Sequence, residues 1–220
     1  MIQIKKYDKE NQKISFTTDM GISLANSIRR SVLEIPIMAI DEVEITKNDS
    51  ALYDEILAHR IGLVPIETKG NKEIKFSLKE KGPKTVYSSE MKPHTGVDLK
   101  IPLVILNKDQ EIEIVCDARL GKGLDHLKYS PGLAYYKHNI EDDVLDYIRI
   151  DEEGNVSFDE EDLKNKELTE EHMKKINDFK KAEEIEFFIE SWGQIEAKEI
   201  FLKSIEALES NLQEFNKALK

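Results

Sequence analysis

The chain has 220 residues, of which 40% are hydrophobic and 35% charged, with a formal net charge of −12. Those totals describe one large or two modest folded units with a real core, and no stretch approaches the roughly 20 apolar residues that cross a bilayer. The single cysteine, Cys116, excludes an internal disulfide, a four-cysteine zinc site and a cysteine-ligated iron–sulfur cluster.

The charge is regional. Residues 139–190 hold 19 acidic and 7 basic side chains, while the remainder holds 25 of each sign. Such a segment repels phosphates, so it is either a solvated face or a surface for a basic partner. The N-terminal segment MIQIKKYDKENQK lacks a secretory apolar run, and a cytoplasmic location is expected.

In chain order, IQIKKYD and KISFTT read as a hairpin around the polar turn KENQ. A helix is predicted from Ser23, a hydroxyl suited to capping, with Leu24, Ile28 and Val32 or Leu33 on its apolar face. Asn26, Arg29 and Arg30 fall largely on another face, and Pro36 sets the limit of the helix. Adjacent arginines suit bidentate contacts to carboxylates or act as exposed solubilising charge. The strand PIMAIDEVEITKN follows, its alternation slipping between Ile40 and Val43, the mark of a bulge.

Asp49 or Ser50 is the expected cap of a second helix, ALYDEILAHRIG, with Ala51, Ile56, Leu57 and Ile61 inward and Gly62 as its left-handed stop. EIKFSLKE, KTVYSSEM, LKIPLVILN and EIEIVCDAR then predict strands, with Cys116 as a strand residue. The loop LGKGLDHLKYSPG leads to GLAYYKHN and VLDYIRI, two further strands. DEEGNVSFDEEDLKNKE is too polar to build a core, and a helix is predicted from Thr169. IEFFIESWG is a strand.

Past Gly193 one uninterrupted helix runs to the C-terminus. Phe201, Ile205, Leu208, Leu212, Phe215 and Leu219 recur at alternating steps of four and three, the spacing of a helix–helix seam. That stripe either lies on its own domain or forms a subunit interface, and spacing alone does not choose.

No residues are assigned to catalysis, to a metal or to a cofactor. Asp125 and His126 with Cys116 or Ser130 make a conceivable nucleophile–base set, but no nucleophile elbow accompanies them. Gly121-Lys122-Gly123 lacks the full phosphate-loop frame, and the five histidines have no metal-ligand spacing. No basic patch suits direct, sequence-specific reading of nucleic acid.

Four segments together resemble one family of RNA polymerase assembly subunits. Its members are the archaeal D-type chain, the third-largest eukaryotic polymerase subunit and the bacterial alpha amino-terminal domain. The segments are LANSIRRSVLEIPIMAIDEVEI (24–45), NDSALYDEILAHRIGLVPI (48–66), LGKGLDHLKYSPG (120–132) and FFIESWGQI (187–195), the last leading into the heptad helix. The resemblance implies an α+β fold of two domains. Residues 1–47 plus 182–220 would form a dimerisation domain, and 48–181 an inserted, mostly β domain with an acidic, cysteine-free extension at about 151–181.

It further implies a non-catalytic role in DNA-directed RNA polymerase. The terminal helix, through Phe201, Ile205, Leu208, Leu212, Phe215 and Leu219, would pair with subunit L. The heterodimer would be the platform for the second-largest catalytic subunit, met through Asn26, Arg29 and Arg30, with subunits N and P as further neighbours. Some members carry an iron–sulfur domain between the strands ending near Ile150 and starting near Ile185. That interval has no cysteine in this sequence, so no such cluster is expected. The rival expectation is a self-associating adaptor unrelated to transcription.

Overall fold

The computed structural model describes residues 2–138, 148–150, 156–158 and 184–219. Strands β1 (Gln3–Asp8) and β2 (Lys13–Thr18) form the hairpin, closed where Asp8 accepts hydrogen bonds from the Asn11 backbone and side chain. They are followed by α1 (Ile22–Ser31), a single 3-10 turn at Val32–Glu34, β3 (Ile37–Asn48) and α2 (Asp54–Gly62). Then come β4 (Ile74–Lys81), β5 (Lys84–Tyr87), β6 (Pro102–Leu106), β7 (Glu111–Gly121) and β8 (Gly132–His138). β9 (Ile148–Ile150) pairs with β10 (Val156–Phe158), and β11 (Ile185–Ser191) leads into α3 (Ala197–Ala218). The fold is α+β.

Two buried clusters organise these elements. The first is roofed by the antiparallel sheet β1-β2-β11-β8 and filled from both chain ends. Period-two alternation sends Ile14 and Phe16 of β2, and Ile185, Phe187 and Ile189 of β11, to one face. Against that face pack α1, through Ala25 and Ile28, and α3, through Ala197 and Ile200. The second cluster lies on the sheet β3-β7-β4, where Ile112, Ile114, Cys116 and Ala118 alternate inward from the central strand. Leu57 and Ile61 of α2 cover it, and Arg60 ties that helix to β6 by donating to the carbonyls of Leu103 and Pro102 at 2.8 and 2.6 Å.

β3 stitches the clusters together. Its first four residues are all buried because alternate side chains enter different cores: Ile37 and Ala39 the first, Met38 and Ile40 the second. The expected bulge is present, Asp41 being the extra residue between the Ile40–Ala118 and Glu42–Asp117 pairs. Beyond it one face of β3 turns to solvent, which is why the alternation slips there.

Several local expectations are corrected. α1 starts after Gly21 with no side-chain cap, so Ser23 does not cap it. Ala25 and Ile28, continued by Val32 of the following 3-10 turn, form its buried stripe, while Leu24 is half-exposed. α2 starts after Tyr53, again without a side-chain cap. Asn48 instead accepts from the Ser50 backbone and hydroxyl in a tight local turn, a competing use of capping residues. Ala51 and Ile56 are exposed. Gly62 is the last helical residue and is not among the residues of positive φ.

β8 departs from the expected extent of the insert. Although it lies within 48–181, it is hydrogen-bonded along its whole length to β11, in the sheet built from the chain ends. Of the strand expected at VLDYIRI, the last three residues form β9. The helix expected from Thr169 and most of the acidic 151–181 extension lie outside the described residues.

Cys116 sits in the second core, 1% exposed, and burial pushes its thiol up to about 12, with the Asp117 charge adding to the effect. A thiol attacks disulfide reagents as the thiolate, so Cys116 is expected to stay unlabelled in the native protein and to react fully on unfolding. Rapid labelling of the folded chain by an Ellman-type reagent would contradict this placement.

Candidate subunit interface

α3 is about 33 Å long at 1.5 Å per residue, and its two halves meet different surroundings. In the N-terminal half Ile200 and Ser204 are fully buried, with Phe201, Ile205 and Leu208 half-buried against the first core. Phe201 meets Phe16 and Phe187 edge-on, with ring centroids 4.9 and 5.9 Å apart. In the C-terminal half the same heptad stripe continues, and among the described residues none packs over it. Leu212 is 59% exposed, Phe215 65% and Leu219 70%.

The six stripe residues predicted from the heptad therefore split into an anchoring set and a presenting set. Half of the stripe is spent on holding α3 to its own sheet. The other half forms an apolar strip in helical register, well outside the pattern of scattered surface leucines.

On α1, Asn26 and Arg29 hold each other, the Asn26 Oδ1 accepting from Arg29 Nε at 3.1 Å and from a terminal guanidinium nitrogen at 2.9 Å. Arg30 is exposed. Neither arginine is ion-paired with a described residue; Asn26 takes the Nε edge of the Arg29 guanidinium, which leaves its outer edge and the Arg30 fork for an outside carboxylate. Ile22 and Leu24, half-exposed on the same short helix, add apolar surface, and of the two the sequence pattern had assigned Leu24 inward.

The loop after β7 is held by an acid–base cluster that sequence reading missed. Asp41, turned out of register by the bulge, accepts from Lys128 Nζ at 2.6 Å and Tyr129 Oη at 2.8 Å and is ion-paired with Arg119. The only signal in the sequence was the slip at the bulge itself. The hydrogen bond from Lys128 holds the Asp41 carboxyl below its ordinary value of 3.8; burial opposes that, and Tyr129 adds to it. A depressed folded value means the cluster stabilises the fold above about pH 4, and the contribution is lost as pH falls through the folded value. Asp41→Asn is therefore expected to melt lower at neutral pH, with the gap to wild type narrowing as acid is added. A gap that widened in acid would refute this assignment.

The same loop disposes of the nucleophile and phosphate readings. Asp125 and His126 are exposed, and His126 Nδ1 is occupied by the Lys128 backbone N–H at 3.1 Å, while Cys116 is buried on β7. The glycines have packing reasons: a Cβ on Gly121 would lie 2.6 Å from the Tyr129 ring, and one on Gly123 2.9 Å from Leu33. Among the described residues no group of three or more His, Cys, Asp and Glu is placed to hold a metal ion. Among them no helix is long and apolar enough to cross a membrane.

Comparison with known proteins fits this geometry. Residues 16–212 match the model of the RNA polymerase Rpb3/Rpb11 dimerisation domain. The chain is 36% identical over 228 residues to DNA-directed RNA polymerase subunit Rpo3 of Methanocaldococcus jannaschii, covering 100% of this chain and 98% of that one. It is 36% identical over 174 residues to the Rpo3 subunit of Thermococcus kodakarensis (69% and 67% covered) and 28% identical over 240 residues to that of Halobacterium salinarum (97% and 95%). With its core built from both chain ends and its terminal helix half uncovered, the chain belongs to the Rpb3/Rpb11 dimerisation-domain family, among the archaeal Rpb3-like subunits of RNA polymerase.

Proposed function

We propose that the chain pairs with a smaller alpha-like subunit, subunit L, and that the pair is the assembly platform of an archaeal DNA-directed RNA polymerase. The uncovered strip Leu212, Phe215 and Leu219, in register with residues already packed in the core, carries this reading. An apolar helix stripe that outruns its own domain gains most by lying against a second helix.

Asn26, Arg29 and Arg30 then contact the second-largest catalytic subunit, and subunits N and P complete the neighbourhood. The chain contributes no side chain to phosphodiester formation, binds no iron–sulfur cluster, makes no sequence-specific contact with nucleic acid and works in the cytoplasm. Its dimerisation domain comprises 1–47, β8 and the segment from 182 onward, with the insert running from 48 to about 121. The presence of two buried clusters, which meet along β3, supports that division.

Co-expression with subunit L tests the pairing. A one-to-one heterodimer on size exclusion with light scattering is the expected result. A homodimer whose mass is unaffected by subunit L would overturn the reading in favour of self-association.

A further inference from the structure

Away from the exposed strip of α3, a groove of about 1020 Å³ opens between the β11–α3 turn, the segment after α2 and the segment before β6. Its walls carry four large apolar side chains, Leu63, Leu99, Leu127 and Trp192, each between 40% and 64% exposed. These come from four separate parts of the chain, and their exposure together in one concavity is unlike a scatter of surface residues.

The rim is acidic. Six carboxylates line the groove against two lysines, and Lys128 is already committed to Asp41. Glu67 is paired with Lys69, and Glu190 with Lys13. Glu10, Asp98 and Glu196 have no ion pair with any described residue, which leaves uncompensated negative charge around an apolar floor. At the turn, where Gly193 takes a positive φ, Gln194 is 4% exposed. Its side-chain nitrogen donates to the Ser130 carbonyl at 3.2 Å, while its Oε1 has no hydrogen-bond partner among the described residues. A buried acceptor left open costs free energy until a donor reaches it.

We infer that this groove is a second docking site, which takes a basic polypeptide segment of another protein, seating a large apolar side chain beside Trp192 and Leu127 with lysine or arginine at the acidic rim. Apolar burial supplies affinity, and the charge complementarity supplies steering and selects against acidic segments. The site uses none of Leu212, Phe215 and Leu219, so it stands or falls separately from the pairing through α3.

Trp192 is the only tryptophan of the chain and reports on the groove directly. The full chain is titrated with a set of synthetic 12-residue peptides in which net charge and apolar content vary independently, and Trp192 emission is read. Saturable binding is expected only for peptides that combine positive charge with a large apolar residue, and it should weaken as salt is raised. Leu127→Ser and the double variant Asp98→Lys, Glu196→Lys change exposed positions, and each is expected to weaken binding by roughly ten-fold with an unchanged thermal melt. Absence of any binding peptide, equal binding of acidic peptides, or indifference to both variants would overturn the inference. Concentration-dependent self-association relieved by Leu127→Ser, without peptide binding, would assign the groove to a second copy of the chain instead.

Discussion

Replacing Leu212 and Phe215 together by aspartate is expected to weaken the pairing with subunit L by roughly 100- to 10,000-fold while leaving the isolated chain's melting temperature within about 2 °C of wild type. Both side chains are mostly exposed on the distal half of α3, so the isolated fold loses little burial when they are changed. In the heterodimer each large apolar side chain contributes about 1.5–3 kcal/mol when covered, and the two together about 3–6 kcal/mol. An aspartate left against the partner's apolar face adds the cost of an unpaired charge. Leu208→Asp makes the useful contrast. That residue is half-buried against its own core, so its change should lower both the melting temperature and the affinity. Calorimetric titration and size exclusion read the affinity, and scanning fluorimetry reads the fold. A double variant that still binds within ten-fold of wild type would remove the exposed stripe from the interface.

Much of this arrangement was legible in residue order, and the parts that were not have identifiable causes. IEFFIES alternates so cleanly that only one face can be buried, and the heptad of α3 is free of Gly and Pro, so both elements follow from local pattern. The slip between Ile40 and Val43 marked the bulge because an extra residue must flip the faces. On α1, by contrast, helical spacing allows a stripe through Leu24 and Ile28 or one through Ala25, Ile28 and Val32. The choice is made by α3 and the sheet, which lie far away in sequence. Ser23, Asp49 and Ser50 are all good capping residues, yet Asn48 draws Ser50 into its own turn and neither helix uses any of them. The pairing of β8 with β11 is non-local and crosses the acidic segment, so no short-range signal marks it. The groove beside Trp192 is assembled from four distant segments and has no periodicity at all.

The stripe presents its distal half only because the proximal half is firmly held, and Phe187 is the residue on which that hold converges. It is fully buried and lies in register between Phe16 on β2 and Tyr136 on β8. Its ring stacks on Phe16 at 5.6 Å and receives the edge of Phe201 from α3 at 5.9 Å. Phe187→Ala removes a large buried side chain and its ring contacts with Phe16, Tyr136 and Phe201, an expected loss of about 3–5 kcal/mol. Domains of ordinary stability hold only about 5–15 kcal/mol in all, so the variant should be close to unfolding at moderate temperature. For a chain of this length the melting temperature should fall by roughly 6–20 °C. Phe188, the next residue, points to the opposite face, where it stacks on the half-exposed Tyr135 at 4.7 Å and receives Lys137 over its ring. Its replacement by alanine leaves the α1–α3 core intact and is expected to cost about 1 kcal/mol. A thermal melt of the two variants side by side decides the matter: equal losses would mean that β11 does not divide its faces between core and solvent, and that α3 is anchored by something other than Phe16, Phe187 and Phe201.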